Sequence, residues 1–469
     1  MKLKYLFCIL TFAIFILIVG CTKKDDLTSG DIGTVEKEEH QYTLQSILIT
    51  AEIENAGEFV CENCGDSVIK SIKYDDINIP IISINGDITE MTKDIKVYVS
   101  LLYEAEDKKF ETICSLKWQG ASSLRYPKKN YSVQFLNEAG EKNEICLNDE
   151  WGEQSKYCLK ANYIDFSHSR NIVSGRLYSQ IIHSRNIDDI ANSLKNGAVV
   201  DGFPVLLFIN GEYQGLNTMN IPKDKWMAGM KNDKEDDNDE LRQAILMADV
   251  WKGTDLRSTI TNDFAAHGFD LEYCSTSKTT GEEWVVDSFN NMINFVNSND
   301  GEDFKKGISK YIDVNRTIDS MLFTLFIDAI DNYGKNILWI TYDGVKWYPS
   351  MYDMDSTWGL YWNGKSYLDP NVINDDLYFN HTALWEKIYR NYKTELKERY
   401  FELRKSVLSI ENITKEFTLF ADEIPEIIYI AEKNKWKKIP NQETNNISQI
   451  LDFCKKRSAA LDEFMTNLK

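Results

Sequence analysis

The sequence predicts an α+β chain in two lobes, strand-rich first and helical after. Three observations carry that reading. From residue 79 to 150, segments such as Ile95-Lys96-Val97-Tyr98-Val99-Ser100-Leu101 alternate apolar and polar side chains, the two-residue period of a half-buried strand. Beyond residue 284 the chain reads as mostly helical, interrupted by one hairpin at 337–348. With its leader and tether set aside the chain keeps ~430 residues, more than one small core uses. At 43% hydrophobic and 12% aromatic it has the side chains to fill a large core.

The first element is a leader, residues 1–20. Lys2 and Lys4 make a basic start, and an apolar run from Tyr5 to Val19 follows. That run is shorter than the ~20 residues a membrane span needs. Ile18-Val19-Gly20-Cys21 then reads as a lipobox, which predicts cleavage before Cys21 and a lipid on its thiol. Residues 21–41 are polar and charged, and read as a flexible tether. The expected location is the cell envelope, with the chain anchored to a membrane by its N-terminal lipid, at the outer membrane or cell surface. A formal charge of −20 argues against nucleic acid as a partner, because phosphate backbones are bound by basic surfaces.

Residues 42–78 read as a small β-rich segment, and residues 79–469 as the main domain, with lobes at about 79–220 and 221–469. Cys61-Glu62-Asn63-Cys64 is a lone CxxC with no second pair at zinc spacing, and in an exported protein it reads as a local disulfide. Ile79-Pro80-Ile81-Ile82-Ser83-Ile84 ends at an Asn85-Gly86 turn. A helix is expected over 169–183, where Ile172, Val173, Leu177, Ile181 and Ile182 share roughly one face. Strands at 203–209 and 215–219 are joined by Asn210-Gly211, a strong hairpin signal. The acidic run 231–240 lacks the alternation and glycine of a calcium loop, and reads as a solvated loop. An apolar helix over 317–330 then leads into Asp331-Asn332-Tyr333-Gly334-Lys335-Asn336 and the 337–348 hairpin, which ends on Asp353-Met354-Asp355.

Two stretches carry candidate chemistry. Gly120-Ala121-Ser122-Ser123, between two strands, lets backbone N–H groups approach phosphates, with the hydroxyls of Ser122 and Ser123 as further donors. Lys128 or Lys129, opening the next strand, would neutralise them. It is not a P-loop, since GxxxxGK[ST] is absent. The second stretch places an acid, Asp331, five residues before an amide, Asn336, with a short hairpin and further acids after it. Phosphoryl-transfer enzymes use this order: one acid positions a hydroxyl, and the amide and the later acid hold a metal. A turn after a helix would also be rich in Asp, Asn and Gly. The DxDxT of Asp353–Thr357 could instead be a phosphatase nucleophile, but that fold needs a buried parallel strand before it and several βα units after it. A glycosidase is a further alternative, disfavoured because adjacent acids on one turn flank a sugar bond poorly.

Together these segments resemble the CotH family, atypical protein kinases named for a spore-coat protein, over about residues 79–400. Lys117-Trp118-Gln119-Gly120-Ala121-Ser122-Ser123 with Pro127-Lys128-Lys129-Asn130-Tyr131 resembles the family's RGxSS…KKxY signature, with Gln119 standing where Arg is commoner. Asp165-Phe166-Ser167-His168-Ser169-Arg170-Asn171 resembles its D-x(4)-RN segment, and Asn210-Gly211-Glu212-Tyr213-Gln214-Gly215 its NGEYxG hairpin. Asp331–Asn336 and Tyr352–Asp355 resemble its catalytic loop and metal-binding DxD. The resemblance implies a two-lobed kinase-like fold that moves the γ-phosphate of ATP to Ser or Thr of exported proteins. It implies Asp331 as the catalytic acid, Ser122, Ser123, Lys128 and Lys129 at the nucleotide, and Asn336, Asp353 and Asp355 on Mg²⁺ or Mn²⁺. A kinase fold kept as a non-catalytic surface scaffold or adhesin is the competing expectation.

Overall fold

A computed structural model describes residues 54–73, 79–230, 241–275, 281–442 and 446–469, with short strands at 19–20, 39–40 and 42–48. Cys21, the rest of the leader and tether, and the acidic run 231–240 lie outside the described residues. Strands β1 (Tyr42–Leu48), β2 (Glu54–Cys61) and β3 (Ser67–Lys73) form a three-stranded antiparallel sheet.

The strand-rich half closes into a barrel. Its strands are β4 (Ile81–Asn85), β5 (Val97–Glu104), β6 (Lys109–Gln119), β7 (Asn130–Leu136), β8 (Lys156–Lys160), β9 (Gly202–Ile209) and β10 (Glu212–Asn220). They run in the order β8-β10-β9-β4-β5-β6-β7, with β7 paired back to β8. Closure leaves no edge of unpaired backbone groups. The alternation seen in the sequence supplies the filling: Val99, Leu101, Cys114, Leu116, Val133, Phe135, Tyr157, Leu159 and Met219 are buried together. The β9–β10 hairpin turns at Asn210 (φ 51°) and Gly211 (φ 78°), both left-handed, as an Asn-Gly turn requires. Strand β9 is apolar on both faces because it serves two cores. Val205, Leu207 and Ile209 join the barrel core, whereas Leu206 and Phe208 join a larger one with Ile172, Val173 and Leu177 of α1 (Arg170–Ser184).

The rest is helical around a second sheet. After α2 (Ile190–Ser193) come β11 (Ala244–Ala248) and β12 (Phe269–Cys274), then α3 (Glu283–Ser298), α4 (Gly301–Gly307) and α5 (Val314–Ile327). Strands β13 (Ile337–Thr341) and β14 (Trp347–Met351) follow, then α6 (Asp375–Asn380), α7 (Ala383–Asn391), α8 (Lys393–Arg404), α9 (Ile410–Asp422), α10 (Glu426–Lys435) and α11 (Ser448–Asn467). The sheet order is β12-β11-β13-β14, antiparallel throughout.

Helix α5 lies three residues upstream of the expected 317–330. Asp313 caps its start by accepting the Arg316 N–H at 2.9 Å. Asp328 stops it in the left-handed conformation (φ 56°), its carboxylate held by Arg457 at 3.3 Å and by Tyr378. The chain then makes a separate 3₁₀ turn, Ile330–Tyr333, and this turn carries Asp331. The register of the following hairpin pairs Ile337 with Met351. Asn336 and Tyr352 therefore stand side by side at its open end, with Asp353 next.

Candidate active site

A cleft of about 820 Å³ separates the rim of the barrel from the open end of the β13–β14 hairpin. On the barrel side it is lined by the turn Gly120–Arg125 and by Lys160–Ile164, the exit of β8; on the other by Asp331, Asn336, Asp353 and Asp355. Of the nucleotide and metal residues read from the sequence, Ser122, Ser123, Asn336, Asp353 and Asp355 are brought together here with Asp331.

The small-residue turn is shaped by Gly120. Its φ of 118° is one that side chains avoid, and a Cβ would lie 2.1 Å from Ser123 Oγ. Ser122–Arg125 then form a 3₁₀ turn. Asn130 fixes it, donating to Ser123 Oγ at 3.3 Å while its own oxygen accepts the Ala161 N–H at 2.7 Å. Asn130 thus ties the turn to the exit of β8.

The two lysines after that turn are placed differently from the expectation. Lys129 folds back, donating to the carbonyls of Leu124 and Tyr126, both at 2.6 Å, and is absent from the cleft lining. Lys128 borders the cleft, yet its amine is engaged with the carbonyls of Ala161 (3.1 Å) and Leu216 and with Glu432 of α10 at 2.5 Å. Both members of that ion pair are essentially inaccessible to water. Lys93, Lys160, Lys223 and Lys335 also line the cleft, and both Lys160 and Lys223 lie against the Tyr352 ring. Lys160 Nζ lies 3.2 Å from the Tyr352 hydroxyl and 3.9 Å from Asp353. Burial opposes its charge, but Tyr352 and Asp353 outweigh that, so its pKa is raised above the ordinary lysine value. Lys223 is held by Glu272. Lys160 ends β8, and the pairing of β8 with β7, not proximity along the chain, brings it beside the Gly-Ser turn, so local sequence does not mark it.

On the opposite wall Asp331 pairs with Lys335 at 2.9 Å. Asn336 (φ 56°) and Asp353 (φ 54°) are both left-handed, a conformation rare outside glycine and most tolerable for Asn and Asp. Arg170 and Asn171, which open α1, are buried at 0% and 4% exposure. Arg170 pairs with Asp165 and donates to the Thr357 carbonyl at 3.1 Å, anchoring the chain just past Asp355.

The donor set suits a hard divalent cation. It is two carboxylates from one turn and an amide oxygen from another. Burial, and then the charge of Asp353, hold the Asp355 carboxyl well above the usual range, with Asp165 and Asp331 adding to the crowding. A cation is what relieves such crowding. Among the described residues no group of three or more His, Cys, Asp or Glu forms a metal cage. The site instead fits an ion such as Mg²⁺, which keeps waters and completes its shell with substrate phosphates. The phosphatase reading of Asp353–Thr357 loses its support, because β14, which leads into it, is an antiparallel edge strand.

Residues 116–461 match a family model described as CotH kinase protein. No curated protein matches the chain.

Proposed function

Because the chain belongs to the CotH kinase family, we propose that it transfers the γ-phosphoryl group of ATP to a Ser or Thr hydroxyl of an exported protein, using Mg²⁺ or Mn²⁺. The barrel acts as the nucleotide-covering lobe and the helical part as the other lobe of a kinase-like pair. One observation carries the reading: Asp331, Asn336 and Asp353 line a single cleft together with a small-residue turn and Lys160.

The Gly120–Ser123 turn and the Lys160 ammonium take the negative phosphates. Asn336, Asp353 and Asp355 hold the cation, which when bound neutralises charge on the transferring group. Asp331, paired with Lys335, orients the acceptor hydroxyl and takes its proton. The acceptor oxygen bonds to the γ-phosphorus as the bond to the bridging oxygen breaks, and ADP departs. The work is done by positioning and charge neutralisation, without a covalent enzyme intermediate. The test is autophosphorylation mass spectrometry and transfer from ATP with Mn²⁺, alongside calorimetry. Metal-dependent nucleotide binding with phosphate transfer supports the kinase, and absence of both leaves a scaffold.

The leader supports a lipid anchor at Cys21 and a place in the cell envelope. Incorporation of labelled fatty acid that is lost in Cys21→Ser tests this; incorporation that survives the change overturns it.

A further inference from the structure

Two buried asparagines grip the backbone on either side of Asp353. Asn332, at 2% exposure, sits on the 3₁₀ turn beside Asp331. Its side-chain nitrogen donates to the Asn336 carbonyl at 3.1 Å and to the Tyr352 carbonyl at 2.8 Å. One amide thus ties together the two turns that carry the oxygen donors, and a third link, from the Tyr352 N–H to the Asn336 carbonyl at 3.1 Å, closes the ring. On the far side, Asn171 of α1 accepts the Met354 N–H at 2.9 Å. Asp353 therefore lies between one carbonyl pinned by Asn332 and one N–H pinned by Asn171. The turns so held carry Asn336 and Asp353, both in the left-handed conformation, which is uncommon outside glycine.

Resting on the kinase reading above, we propose that Asn332 and Asn171 are positioning residues that set the geometry of the divalent-cation site. Asn332 does this as a double donor, Asn171 as an acceptor. Hydrogen-bond polarity makes the two isosteric changes unequal. Asn332→Asp replaces the donor with an oxygen facing two carbonyls, whereas Asn171→Asp keeps the acceptor that Met354 uses. Partners of metal ligands affect affinity by about 10–100-fold.

The test is Mn²⁺ titration of the full chain, followed by the loss of the free ion's electron-spin resonance signal, with circular dichroism to check the fold. Asn332→Asp is expected to weaken Mn²⁺ by about tenfold or more, Asn171→Leu similarly, and Asn171→Asp by no more than about twofold. A role in stability alone would lower the melting temperature without this acceptor-specific rescue. Wild-type affinity in a folded Asn332→Asp chain, or equal losses in Asn171→Asp and Asn171→Leu, overturns the proposal. Should Asn332→Asp not fold, the Asn171 pair decides it. A wild-type chain that binds no Mn²⁺, with or without ATP, overturns the kinase reading and the clamp with it; binding by the wild type and by folded Asn332→Asp alike overturns the clamp only.

Discussion

Lys128 and Lys160 sit on neighbouring parts of the barrel rim and do opposite things. Lys128 is locked in a dry junction, with Glu432 at 2.5 Å, two backbone carbonyls as further acceptors and essentially no exposure. The same Glu432 accepts the Leu216 N–H at 2.8 Å, so the junction bolts the β6–β7 connection, β10 and α10 together. Lys160 faces an acid at 3.9 Å that is itself 42% exposed. The first charge is spent on architecture, because a buried ion pair must be fully satisfied to be tolerated. The second is held by the Tyr352 hydroxyl at 3.2 Å and by Asp353 at 3.9 Å, and lines the cleft. Similar side chains on one rim are thus divided between a buried structural pair and the lining of the cleft.

The sharpest way to break this contrast is on the cleft wall. Asp331→Ala or Asp353→Ala is expected to lower phosphate transfer by about 10³-fold or more with little change in melting temperature. Turnover that survives both changes removes the cleft from the mechanism. Next is the junction: Lys128→Met strands a buried carboxylate and should destabilise the fold by about 3–5 kcal/mol in urea unfolding. Lys128→Met with Glu432→Leu should recover most of that loss; a double variant as unstable as the single one shows that the pair is not the bolt. Lys160→Met is expected to reduce kcat/KM for ATP by about 10²-fold while barely moving stability. A collapse in melting temperature with activity retained would exchange the roles assigned to the two lysines.

The smallest effect concerns His168, which lies fully buried behind the junction, 3.9 Å from Glu432. Burial, helped by the Lys128 charge, pushes its pKa well below the ordinary value, so the folded chain holds it neutral. The unfolded chain protonates it below about pH 6.5. Stability from this residue is therefore full above that pH and declines as pH falls below it, by up to about 1.4 kcal/mol per pH unit. Comparing urea midpoints at pH 7 and 5.5 for the wild type and His168→Gln isolates the effect; identical pH slopes would place the proton elsewhere.

Much of the fold was legible in local pattern. Two-residue alternation marked the barrel strands, five apolar residues on one face marked α1, and Asn210-Gly211 marked its hairpin, because each is dictated by neighbours in sequence. The end of α5 was less legible: the apolar period runs on past Ile327, and the stop depends on Arg457 and Tyr378 gripping Asp328 from distant helices. The acid wall of the site was readable for a related reason. Asp331 and Asn336 lie five residues apart in one short connection, and a short hairpin returns the chain to Asp353, so local geometry does most of the assembly.

The sequence alone determined the class of the chain, the order of its elements and the acids and amide of the cleft, since these follow from spacing within one turn or one hairpin. Tertiary structure alone decided which lysine faces the cleft. Lys128 and Lys129 follow the Gly-Ser turn and look equally available, but a flexible four-carbon stem goes where its charge is best satisfied. For Lys128 that partner is Glu432, 304 residues further along the chain. No local pattern encodes such a contact; only the packing of α10 against the barrel turns it into structure and leaves Lys160 to the cleft.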